Sequence, residues 1–184
     1  MINRLTMLVL GAALSSCAVS QATRLMVPQT SGLSCFPNGV CVEDPARIDE
    51  ATALRDDALS FVQGKMGRLN AAPRLLFCTT KACSAKFGNP DVGASYFWGT
   101  NRLVISDTGW VKFVVRHEMI HHWQAEKFGA VEGAKDLPRW YIEGMAYVFS
   151  NDPRPTIPNA AADRQRAQFR AWQAAGNNWR VPPA

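Results

Sequence analysis

Histidine is scarce. Only three of the 184 residues are histidine, and all three fall between positions 117 and 122. Chemistry that needs imidazole is therefore confined to one short stretch. No apolar run approaches the roughly 20 residues of a membrane-spanning helix, so no helix is predicted to cross a bilayer. There is no basic run and no nucleic-acid-binding motif. The formal charge of +5 is spread along the chain, and no nucleic-acid partner is expected. No C-x-x-C pair occurs, which weighs against a cysteine-held metal. Internal repeats and low-complexity tracts are also missing. An apolar content of 47% with six tryptophans argues against disorder. The length suits one domain of modest size, large enough for its own core.

The histidines that are present form His117-Glu118-Met119-Ile120-His121. On a helix, positions i and i+4 lie one above the other, so His117 and His121 can grip one metal ion together. Glu118 lies about 100° further round, badly placed as a ligand but able to take a proton from water on that metal. The helix is predicted to start at a cap offered by Ser106, Asp107 or Thr108 and to stop at Gly129. Lys112, Arg116, Glu126 and Lys127 fall in one arc. Trp110, Phe113, Val114 and Phe128 fall roughly opposite, together with the two histidines, so these face the core. The competing reading is a pair of core histidines satisfied by ordinary hydrogen bonds.

A second helix is predicted over Arg139 to Ser150. Asp136 is its candidate cap, Pro138 lies in its first turn, and Asn151-Asp152-Pro153 stops it. Trp140, Glu143, Gly144 and Tyr147 share one face at helical spacing. A carboxylate there is a poor choice for core packing but a good third ligand, and Gly144 would let the two helices approach closely. A solvated Glu143 is the alternative. The third ligand would then be Asp136 or Asp152.

At these residues the chain resembles the gluzincin zinc metallopeptidases: H-E-x-x-H, a short spacer, then Pro138-x-Trp140-x-x-Glu143-Gly144-x-Ala146. It is most similar to small bacterial secreted members. The likeness takes in Cys78-x-x-x-x-Cys83-x-x-x-Phe87-Gly88, the strand Leu103 to Ser106 and Asn151-Asp152-Pro153-Arg154, and covers roughly residues 70 to 155. It implies an α+β fold. This would be a single zincin-like domain, with a small mixed sheet whose edge strand packs on the H-E-x-x-H helix, followed by a glutamate-ligand helix. It also implies Zn2+ held by His117, His121 and Glu143, Glu118 as general base, and a peptide or protein substrate bound as an added strand. Arg102, Leu103, Val104 and Ile105 are the candidate strand for that pairing. His122 and Tyr147 are the candidate donors to an oxyanion. One position departs from the pattern. The residue before the glutamate ligand is often acidic in such proteins, and here it is Ile142, so the partner that orients a zinc-binding histidine is not identified. A zinc-binding surface protein without turnover and a cell-wall amidase with the same zinc chemistry are the alternative functions. A monomer is expected.

The N-terminus reads as an export signal. Arg4 is its positive region and Leu5 to Leu14 its apolar region. Leu14-Ser15-Ser16-Cys17 resembles the lipobox of bacterial lipoproteins, which implies cleavage after residue 16, acylation of Cys17 and attachment to a membrane. Ala18, which is not acidic, points to an outer-membrane lipoprotein facing the periplasm. Cleavage after Ser20-Gln21-Ala22, giving a soluble periplasmic or secreted protein, is the alternative. The domain organisation is then signal 1–16, tether 17–34 and metallopeptidase domain 35–184. Four cysteines remain beside Cys17, and three pairings are possible. The two local pairs, Cys35 with Cys41 across a Pro-Asn-Gly turn and Cys78 with Cys83, are expected. Further elements are a helix from Asp44-Pro45 to about Met66, a strand at Arg74 to Cys78, and a hairpin of Ala94–Trp98 and Arg102–Ser106 around Gly99-Thr100-Asn101. A last helix runs from about Ala161 to Ala175. Phe169 and Trp172 dock it, its arginines face water, and a loose tail follows.

Overall fold

A computed structural model of the chain describes residues 20–129 and 136–183. The signal segment and Cys17 lie outside the described residues. The architecture is mixed α+β. The strands are β1 (Ser34–Cys35), β2 (Val40–Val42), β3 (Arg74–Phe77), β4 (Ala94–Phe97) and β5 (Arg102–Ile105). The helices are α1 (Gln21–Met26), α2 (Ile48–Met66), α3 (Lys81–Phe87), α4 (Lys112–Phe128), α5 (Arg139–Phe149) and α6 (Ala160–Ala174).

The strands form one sheet in the order β1-β2-β3-β5-β4. β2, β3 and β5 run parallel, while β1 and β4 are antiparallel to their neighbours. The three parallel strands are almost wholly apolar because helices cover both faces. Side chains alternate between those faces. Leu75, Phe77, Leu103 and Ile105 join α2, α4 and α5 in the main core. Leu76 and Val104 point the other way, to Leu25, Leu33 and Phe87. Both local disulfides are present, Cys35–Cys41 across the β1–β2 turn and Cys78–Cys83 between β3 and α3.

The expected tether is instead packed structure from Ser20 onward. Leu25 and Leu33 are 2% and 4% exposed. Gln21 donates to the Phe87 carbonyl and Arg102 Nε to the Leu25 carbonyl. The polar residues around those leucines are the outer surface of a docked segment, which composition alone reads as linker. The edge strand is a second correction. β5 pairs with β3 on one side and β4 on the other, so Arg102 to Ile105 cannot accept a substrate strand. β4 is the edge.

Helix α4 begins at Lys112 with Val111 as its cap, which makes no side-chain cap bond. The expected caps are committed elsewhere: Ser106 donates to the Gly93 carbonyl, and Asp107 accepts from Ser84. The stop at Gly129, with φ of 97°, is as expected. Asp136 is exposed, and α5 starts from Pro138 with no side-chain cap. Gly144 does allow a close approach, but to α6 rather than to α4. A Cβ there would run into the Gln165 carbonyl oxygen and lie 2.6 Å from Phe169 Cβ. Phe169 and Trp172 dock α6 on α5 through Tyr141. Its arginines do not all face water, because Arg166 is only 3% exposed. Nor is the tail loose: the Trp179 carbonyl accepts from Tyr141 Oη at 2.6 Å, and its ring packs on Trp123 and Phe149.

Candidate metal centre and cleft

Helices α4 and α5 bring three ligand atoms to one point. His117 and His121 are one turn apart on α4, with their Nε2 atoms 3.1 Å from each other. Oε2 of Glu143, from α5, is 3.6 Å from each of them. Three ligands about 2.0–2.1 Å from a tetrahedral zinc are separated by about 3.3 Å, and the trio matches that spacing. Two imidazole lone pairs cannot face each other so closely without a cation or a proton between them.

The local charge balance says the same. Burial alone would lower the pKa of His121, yet the Glu143 carboxylate, its hydrogen bond and the nearby Glu118 charge raise it to about 9. Burial would raise Glu143. The His121 charge and the hydrogen bonds from both imidazoles outweigh that and hold its carboxyl well below the usual carboxylate range. Arg139 reaches the other Glu143 oxygen at 3.4 Å but is 82% exposed, so solvent screens it. A buried cluster that demands positive charge and presents two nitrogens and one carboxylate oxygen fits zinc.

His121 is oriented by a residue that the sequence reading missed. Its Nδ1 lies 2.7 Å from Oε1 of Gln124, which is fully buried. The Gln124 amide nitrogen donates to the Ile142 carbonyl at 2.9 Å, so its oxygen must face the ring. Nδ1 therefore carries the proton, and Nε2 keeps its lone pair for a metal. This resolves the departure at Ile142: that residue contributes its backbone carbonyl, and Gln124 stands between it and the histidine. Only the i, i+3 spacing from His121 could have pointed to Gln124. Gln124→Leu is expected to weaken zinc binding about 10- to 100-fold in a chelator competition. Unchanged affinity would contradict this role.

Next to the trio lies an open cleft of about 400 Å³. His117 and Glu118 line one side, and Tyr147 and the segment from Asp152 to Asn159 another. Gly93 and Ala94, entering β4, form its rim. Glu118 is 7% exposed and has no hydrogen-bond partner among the described residues, so its carboxylate is uncommitted. The Tyr147 ring packs 4.4 Å from that of His117. Burial and the Glu143 charge raise the pKa of its phenol, with Arg154 opposing, so it remains a donor.

The remaining expected site residues are not brought here. His122 is fully buried, with Nε2 at 2.8 Å from the Ala71 carbonyl and Nδ1 at 3.3 Å from Tyr96 Oη. It sits one turn past Glu118, where β4 and the loop at residue 71 close over the helix. Leu103, Val104 and Ile105 are buried in the sheet, Arg102 holds α1, and none of the four lines the cleft. Asp136 is exposed, and Asp152 is tied to Arg154. The other grouping of possible ligands among the described residues, Glu43 with Cys78 and Cys83, is no metal site. Its cysteines are bonded to each other, and Glu43 accepts from Thr79 and Thr80.

Comparison of the chain with family models, with curated proteins and with solved structures finds no match.

Proposed function

We propose that this chain is an exported zinc-dependent hydrolase, a peptidase of zincin-like fold with a gluzincin-like centre. The observation that carries the reading is the convergence of His117, His121 and Glu143 beside an uncommitted Glu118 in an open cleft. His117, His121 and Glu143 hold the metal. Zinc, when bound there, supplies a Lewis acid and brings the pKa of water toward roughly 7. Glu118 takes a proton from the attacking water and returns it to the leaving nitrogen. The Tyr147 phenol donates to the developing oxyanion.

The substrate lies along β4. Ser106 N–H donates to the Gly93 carbonyl, which fixes the hydrogen-bonding alternation of the β4–β5 pair. The backbone groups of Ala94 and Tyr96 therefore face away from β5, toward the open edge, and can hold an extended peptide with little demand on its sequence.

Cys17 is the proposed lipid attachment. Only Ala18 and Val19 separate it from the packed segment, so the domain would sit close to the outer membrane rather than on a long tether. Intact mass should show an acylated Cys17. An unmodified N-terminus at Thr23 would instead mark ordinary secretion.

A peptide library tests the activity. Cleavage by the protein beginning at Ala18 should disappear on chelation and return with zinc. Zinc bound at about one equivalent with no cleavage of any member would identify a binding protein instead.

A further inference from the structure

We propose that Arg154 recognises a substrate carboxylate, so that the peptides this cleft takes carry an acidic side chain or a free C-terminus within its reach. The inference rests on the hydrolase reading and names a substrate class for it.

Arg154 is the only lysine or arginine among the described residues that line the cleft. Its ion pair with Asp152 is asymmetric. The Asp152 side chain is 1% exposed and that of Arg154 is 38% exposed, so the anion is buried and the cation looks into the cleft. Nε donates to Asp152 Oδ1 at 2.9 Å and Nη2 donates to Oδ2. Nη1 has no partner among the described residues. One edge of the guanidinium is thus held and the other left available, in the fork geometry that suits a second carboxylate.

The backbone that carries Arg154 is held separately. The buried Arg166 of α6 donates to the Arg154 carbonyl and the Pro155 carbonyl, each at 2.7 Å, and to Asp163. Phe113 lies under the guanidinium at 4.9 Å, and its apolar ring reduces screening there. Glu118 and Asp91 make the rest of the cleft unfavourable to a substrate anion, so the preference is confined to the position beside Arg154.

The test uses matched peptides that differ in Glu against Gln at each position, or in acid against amide at the C-terminus. kcat/KM is compared for wild type, Arg154→Gln and Arg154→Lys. Binding of the same peptides to zinc-loaded Glu118→Gln, with and without Arg154→Gln, is measured by calorimetry. Wild type should favour the carboxylate form at one position by about 10- to 100-fold. The arm in which this occurs identifies a side chain or a C-terminus as the source. Arg154→Gln should erase the preference mainly through KM and leave neutral peptides within about twofold, with Arg154→Lys intermediate. Asp152→Asn/Arg154→Gln should do the same without leaving a buried carboxylate unpaired. Equal handling of acid and neutral peptides by wild type, or a preference that survives Arg154→Gln, would overturn the proposal. Absence of cleavage would defeat the hydrolase reading alone, because the calorimetric preference is read independently of turnover.

Discussion

Glu118→Gln is expected to keep zinc at about one equivalent per chain and to lose hydrolysis by roughly 10²- to 10⁴-fold. The amide fills the same volume at the cleft wall but cannot take a proton. Glu118 donates no ligand atom to the trio and has no hydrogen-bond partner among the described residues, so besides the base the substitution removes only the charge that Glu118 exerts on His121. The loss should fall on kcat and kcat/KM together, because the interaction belongs to the transition state. Full hydrolysis by Glu118→Gln would mean that another group is the base.

The second large effect concerns the ligands. His117→Ala and His121→Ala should each lose stoichiometric zinc, and activity with it. Glu143→Ala should weaken both together, and Glu143→Gln less severely, since an amide oxygen can coordinate but carries no charge. The expected pH dependence follows from His121. In the metal-free protein its pKa is raised from 6.5 to about 9, so the stability it contributes is complete below about pH 6.5 and fades as pH rises through about 9. Protons compete with zinc over the same window, and apparent zinc affinity should climb with pH up to it. Thermal unfolding and zinc titration across that range, with and without Glu143→Ala, check both statements. A metal-free stability that does not change across the window would contradict the assigned coupling.

The parts of this molecule written as local pattern were legible. The i, i+4 histidines, the Gly129 stop and the two short cysteine loops depend on spacing along one element, and the fold realises each; the predicted face of α5 is split, with Glu143 and Tyr147 toward α4 and Trp140 and Gly144 toward α6. Contacts between distant segments were not legible. β4 rather than β5 is the edge because β3 occupies the far side of β5, a pairing across residues 74–77 and 102–105 that no local pattern specifies. A hint was present: Leu103-Val104-Ile105 is unbroken apolar sequence, as suits a strand covered on both faces, whereas Ala94-Ser95-Tyr96-Phe97 is interrupted by Ser95 and is half-buried. The sequence predicts that Gly144 brings α5 close to α4; spacing along one helix shows that a close approach occurs but not against which partner, and in the fold that partner is α6. Arg166 shows the same limit. Composition places an arginine at the surface, and its burial is explained by the carbonyls of Arg154 and Pro155 together with the Asp163 carboxylate. For Gln124 only its i, i+3 spacing from His121 is local, and its role is completed by the Ile142 carbonyl from another helix.

The most direct test of the metal centre is a crystal structure of the zinc-loaded protein with the metal located by anomalous scattering. The expected result is one zinc bound by Nε2 of His117, Nε2 of His121 and a Glu143 oxygen about 2.0–2.2 Å away. A zinc held elsewhere, or a Glu143 carboxylate turned into solvent while the histidines bind the metal with another ligand, would contradict it.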